Sequence, residues 1–140
     1  TELRFASQGE FDTRSDGIPA LTAVYGPFDW KSSAVYDNAQ KYTALRNDEA
    51  DVAPAYTTEG ELINTSDFIL LEDDRFVWPP YNLVPIVRNE ILQEFPEIAD
   101  ALNRVSRNLN TALLTNLNAQ IDVFRREIRD VASEFVNSMR

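Results

Sequence analysis

The chain has 140 residues, 44% of them hydrophobic and 11% aromatic, with a formal net charge of −10 at pH 7. That is length enough for one domain with a core and too little for two independent ones, and the acidity argues against nucleic acid as a partner. Cysteine and histidine are absent, which removes thiol nucleophiles, disulfides, imidazole bases and most zinc sites.

From the N-terminus, Leu3-Arg4-Phe5-Ala6-Ser7 alternates apolar and polar residues as a strand does. These first residues read as strand rather than as a basic and apolar leader, so the chain is expected to begin inside a longer protein. Gly9 to Gly17 is polar and turn-rich. Ile18 to Tyr25 predicts a helix, with Asp16 as its cap, Pro19 in its first turn and Gly26 as its stop. A second helix is expected from about Ala34 to Arg46, with Val35, Ala39, Tyr42 and Leu45 on one face. Val52 to Tyr56 reads as a short strand in which Pro54 points to an edge or a bulge. Phe68-Ile69-Leu70-Leu71 has strand length and is closed by the acidic turn Glu72-Asp73-Asp74. After Phe76-Val77-Trp78-Pro79-Pro80-Tyr81 comes a further apolar run, Leu83-Val84-Pro85-Ile86-Val87, and no run reaches the roughly 18 residues of a membrane span.

From Asn89 the pattern is helical. Pro96-Glu97 opens one helix with Ile98, Ala101, Leu102 and Val105 as its stripe, and Thr111 caps another carrying Leu113, Leu114 and Leu117. Ile128, Val131, Ala132, Phe135 and Val136 mark a last amphipathic helix, whose stripe is expected in the core. Strands alternating with helices predict an α/β sandwich with a largely parallel sheet, and a composition shift near residue 85 is the one internal boundary.

Among the 23 acidic residues, Glu72, Asp73 and Asp74 sit together, and such a run is read as a solvated cap. It lacks the spaced ligands and central glycine of a calcium loop. Without histidine or cysteine no nucleophile–base pair can be drawn, so no enzyme is expected. The sequon Asn64-Thr65-Ser66 carries no functional weight. The aromatics say more. Tyr56 ends a strand and Tyr81 follows a stiff Pro-Pro pair, and strand ends of open α/β sheets are where ligands settle. A tyrosine there offers a π face to a cation that lacks hydrogen-bond donors. Arg14, in the loop after the first strand, has the planar fork that suits a carboxylate. Together these describe a site for a zwitterion. Beside it stands the blander reading, with the tyrosines as packing residues and Arg14 as a surface ion-pair partner; Trp30 and Trp78 are read as core or rim packing.

Several runs taken together carry a family resemblance. They are Glu10-Phe11-Asp12-Thr13-Arg14-Ser15-Asp16-Gly17, Tyr25-Gly26, and Ala50-Asp51-Val52 leading to Ala55-Tyr56-Thr57-Thr58-Glu59-Gly60. Leu71-Glu72-Asp73-Asp74 with Pro79-Pro80-Tyr81-Asn82, then Leu117-Asn118 with Ile121-Asp122, complete the set. In order and spacing they resemble the glycine betaine/choline/carnitine substrate-binding proteins of osmoprotectant ABC transporters. Where members commonly carry Thr-Asp-Gly or Ser-Asp-Gly after the first tyrosine, this chain has Thr57-Thr58-Glu59-Gly60.

The resemblance implies a lobe of the type II periplasmic-binding-protein fold, three-layer α/β/α with a mostly parallel sheet, followed by a helical C-terminal tail. Residues 1–83 correspond to the second of two lobes that close on a ligand. Residues 84–140 correspond to the hinge crossing and the helices that pack on the first lobe. It implies that Tyr56 and Tyr81 belong to an aromatic cage around a trimethylammonium group and that Arg14 holds the ligand's carboxylate. The function so implied is the extracytoplasmic binding component of an ABC importer, periplasmic or anchored as a lipoprotein. Its partners would be a quaternary-ammonium osmolyte (glycine betaine, proline betaine, carnitine or choline) and the cognate permease, with no cofactor. Self-association is one way for such a chain to cover apolar surface. The alternatives are a sensory or scaffold module that keeps the lobe fold without transport and, last, a carboxylate-based hydrolase.

Overall fold

The computed structural model of the chain describes residues 2–64 and 66–139. It divides into two compact units, Thr1–Tyr56 with Ser66–Tyr81 and Thr57–Thr65 with Asn82–Arg140. Thr65 of the sequon lies outside the described residues.

The first unit is organised on strand β1, Arg4–Ser7. Strand β2, Ser32–Val35, pairs parallel to it with Arg4 opposite Ser32 and Ser7 opposite Val35. On its other edge β1 meets Val52, where Ala6 N–H donates to the Val52 carbonyl at 2.8 Å. A strand paired on both edges is buried, and Phe5, Ala6 and Ser7 are buried accordingly. Phe5 also stacks on Trp30 at 4.9 Å between ring centroids, and Trp30 stacks in turn on Phe28 at 5.1 Å. Trp30 is thus the packing residue expected of it. The Arg4 guanidinium pairs with Asp51 at 2.6 Å and Asp48 at 2.5 Å, fixing the segment that delivers Val52.

Around the sheet lie a single turn α1, Glu10–Thr13, then α2, Ile18–Tyr25, and α3, Asn38–Arg46. Helix α2 has the predicted extent and ends at Gly26, whose φ of 94° suits a residue without a side chain. Its N-cap is Gly17 rather than the expected Asp16. The expected helix from Ala34 is also corrected: Ala34 and Val35 lie in β2, and α3 begins only after Asp37. Pairing with β1 takes the first residues, and Asp37 with Gln40 forms a capping box that starts the helix there, Gln40 Oε1 accepting from Asp37 N–H at 3.4 Å. Val35 is 70% exposed instead of on a helix face.

The strand expected over Val52 to Tyr56 is reduced to one bridging residue. Pro54 has no N–H with which to extend the ladder. Phe68 to Leu71 has no strand partner among the described residues. Phe68 instead packs on Tyr42 with ring centroids 5.3 Å apart, while Ile69 is 90% exposed. An apolar run becomes a strand only where an edge is open to receive it.

The second unit is helical: α4, Asn89–Glu94; α5, Glu97–Arg107; α6, Thr111–Asp122; and α7, Ile128–Ser138. Asn110, not the expected Thr111, caps α6, its Oδ1 accepting from Leu113 N–H at 2.9 Å. A 3₁₀ turn, Gly60–Ile63, packs on α6 so closely that a Cβ on Gly60 would lie 2.6 Å from Ala119 N. Thr115 Oγ1 and Asn118 Nδ2 hold the approach, donating to the carbonyls of Thr57 at 2.9 Å and Thr58 at 2.7 Å. The stripe of α7 is not core as expected: Val131 is buried, whereas Ile128 and Val136 are exposed. The parallel sheet with its surrounding helices makes the chain mixed α/β, the predicted class.

Candidate functional site

The polar loop after β1 is folded back on itself. The turn α1 ends at Arg14, which adopts extended backbone, and Gly17 N–H donates to the Arg14 carbonyl at 2.9 Å. A Cβ on Gly17 would lie 2.0 Å from the Phe11 carbonyl oxygen, so only glycine permits this return. The return brings the side chains of Arg14 and Asp16 into contact, with Arg14 Nε donating to Asp16 Oδ1.

Both predicted tyrosines reach this pair. Arg14 Nη2 donates to Tyr56 Oη at 3.4 Å, and Tyr81 Oη donates to Asp16 Oδ2 at 3.0 Å. The three residues expected in the site are therefore brought together within the first unit, joined through Asp16. Half of Tyr56 and 63% of Tyr81 remain exposed, so their rings are accessible. Among the described residues, nothing accepts a hydrogen bond from Arg14 Nη1. The guanidinium is held along one edge while its outer end stays open to a second acceptor.

The charges reinforce one another. Asp16 is held below the usual carboxylate range, first by the Arg14 guanidinium and then by the Tyr81 hydroxyl. The Tyr81 phenol is pushed up, chiefly because its hydroxyl proton is held in the hydrogen bond to Asp16, with burial and then the Asp16 charge adding to the effect. Arg14 moves up through its bonds to Tyr56 and then Asp16, so it stays charged. The Tyr56 and Tyr81 hydroxyls, the Arg14 guanidinium and the Asp16 carboxylate thus form one hydrogen-bonded group.

Asp16 was missed as a site residue because its place before a helix reads as a cap. Its contact with Arg14 comes from the turn over residues 14–17, for which the sequence offers no signal beyond Gly17. Trp78 was read only as packing. Its ring does face Phe11, with centroids 6.4 Å apart, but its indole N–H also donates to the Asp16 carbonyl at 2.6 Å.

A family profile described as the substrate binding domain of the ABC-type glycine betaine transport system matches residues 1–138. The chain belongs to that family. Among its relatives is the glycine-betaine-binding protein of Pseudomonas aeruginosa, 35% identical over 135 residues that cover 94% of this chain and 42% of the relative. Another is the carnitine transport binding protein OpuCC of Listeria monocytogenes, 32% identical over 125 residues, 89% of this chain and 40% of that one. A solved structure described as a glycine betaine/carnitine/choline ABC transporter superposes with a TM-score of 0.76 at 29% identity, covering 97% of this chain and 49% of that one. The fold is thus that of a substrate-binding lobe of this family, and the chain spans less than half the length of the curated relatives it matches.

Proposed function

We propose that the complete protein is the extracytoplasmic ligand-capture component of an ABC importer for quaternary-ammonium osmolytes, working with its cognate permease and doing no chemistry on its ligand. The observation that carries this reading is the convergence of Tyr56, Arg14, Asp16 and Tyr81 in one hydrogen-bonded group. In this reading the two exposed phenol rings face the trimethylammonium group, which has no donors to satisfy and is drawn to the π faces. The open end of Arg14 takes the ligand's carboxylate. Residues 1–83 form the second lobe of the binding protein, and residues from 84 form the hinge crossing and return helices. The membership of the chain in a transporter binding-protein family supports a periplasmic or lipoprotein-anchored location.

Arg14 favours a carboxylated ligand (glycine betaine, proline betaine or carnitine) over choline, whose hydroxyl needs no guanidinium. Calorimetry on the complete protein tests this with glycine betaine, carnitine and choline side by side. Tighter binding of the carboxylated pair is expected. Tight choline binding with none for glycine betaine would overturn the preference, and silence toward all three would overturn the function.

A further inference from the structure

The acidic turn and Trp78 have no part in the site as the sequence is read, the one being a solvated cap and the other packing. The geometry points to a role for both: we propose that Asp73 and Trp78 are positioning residues, which set Tyr81 at a fixed distance from the Arg14–Asp16 loop. The proposal rests on the zwitterion-site reading above and adds how that site is held in shape.

The turn is anchored first to the end of α2. The Tyr25 hydroxyl lies 2.7 Å from Asp74 Oδ1 and 3.1 Å from Asp73 Oδ1, and accepts from Arg75 N–H at 3.2 Å. The Arg75 guanidinium covers the Tyr25 ring at 5.1 Å and donates to the Val24 carbonyl at 3.0 Å. The phenol is pushed up to about 12, chiefly by the Asp74 carboxylate and then by burial. Phe76 completes the turn at a φ of 55°, a conformation uncommon for a bulky residue and held here by the surrounding bonds. Asp73 is no freely solvated charge. Burial alone would raise its carboxyl, yet bonds from the Trp78 and Val77 N–H groups bring it below the ordinary value.

From the turn the grip passes to the site. Asp73 Oδ2 accepts from the Trp78 backbone N–H at 3.0 Å, and the Trp78 indole N–H holds the Asp16 carbonyl at 2.6 Å. Three residues on, Tyr81 takes the same Asp16 by its carboxylate at 3.0 Å. Pro79 and Pro80 lie between, each with φ fixed by its ring. The result is a closed circuit: Trp78 to the Asp16 carbonyl, Asp16 carboxylate to Tyr81, and a stiff backbone from Tyr81 back to Trp78. Because that carboxylate also holds Arg14 Nε, the circuit fixes the ring that would meet a cation relative to the guanidinium that would meet an anion. A site that must touch both ends of one small rigid ligand depends on that distance.

The test uses the complete protein and two variants. Trp78→Phe keeps a ring against Phe11 and removes the indole donor. Glycine betaine affinity by calorimetry should fall about tenfold, the scale of one lost hydrogen bond that positions other groups. The melting temperature should move by only a few degrees. Asp73→Ala should give a similar loss, and Asp73→Asn, which keeps an acceptor for Trp78 N–H, should recover most of it. That rescue separates positioning from a general loss of packing. Trp78→Phe and Asp73→Ala proteins that bind as tightly as wild type would overturn the proposal. If wild type itself binds no quaternary ammonium, the function reading fails, and exchange of the Trp78 indole proton followed by NMR decides positioning without a ligand. Slow exchange that Asp73→Ala accelerates supports it, and solvent-limited exchange in wild type overturns it.

Discussion

Tyr81 uses its hydroxyl to reach Asp16 while 63% of the residue stays exposed, so in the proposed function the two parts of the side chain have separate tasks. Substitutions can pull them apart. Tyr81→Ala removes both, and the affinity for a quaternary ammonium should fall about five- to thirtyfold if the ring covers a desolvated cation. Tyr81→Phe keeps the π face and should retain most of the binding, losing only what the tie to Asp16 contributes. Calorimetry with glycine betaine reads both, and an unchanged affinity in Tyr81→Ala would remove the ring from the cage. Arg14, Tyr56 and Tyr81 stood out in the sequence because their residue types suit the proposed chemistry and their spacing resembles the family's, and the fold brings them into one hydrogen-bonded group. Asp16 did not stand out, because a carboxylate before a helix has an ordinary explanation. Only the folded loop shows the helix starting from Gly17 instead.

At the scale of elements, boundaries moved wherever two local preferences competed for the same residues. Ala34 and Val35 suit the apolar face of a helix, but an open edge of β1 claims them. The alternating pattern of β1 and the extent of α2 survived because nothing nearby offered an alternative. The close contact between the 3₁₀ turn and α6 had no signature beyond a glycine after a polar run. Its dependence on Gly60 is directly testable. A methyl group there would press on the backbone of Asn118 and Ala119, with Ala119 Cα at 2.8 Å, and neither can yield as a flexible side chain would. Gly60→Ala is expected to cost about 1–3 kcal/mol through overpacking. Denaturant unfolding of the complete protein measures this, and a wild-type midpoint would mean that the turn and helix separate at no cost.

At the scale of the whole molecule, the chain covers 42% of a glycine-betaine-binding relative and leaves large apolar side chains in solvent. Ile69 in the first unit and Ile86 in the second, at 90% and 92% exposure, are the most exposed of them. Such surface is characteristic of an interface without its partner. We expect the 140-residue chain by itself to bind glycine betaine weakly or not at all in calorimetry. Micromolar affinity would show that the site is complete without further residues.

Composition, by itself, removed thiol and imidazole chemistry from this chain, because it has no cysteine or histidine, and its net charge of −10 argued against a nucleic-acid partner. Periodicity located α2 and the C-terminal helices, since each is held largely by bonds near in sequence, and alternation marked β1 as an extended segment without naming its partners. Which apolar runs became strands was decided only in the tertiary structure, because a strand exists by virtue of a neighbour that its own residues do not specify. The same holds for the union of Arg14, Asp16, Tyr56 and Tyr81. Residues 42 and 65 positions apart meet there because β1, the Gly17 return and the Pro79-Pro80 segment deliver them to one place.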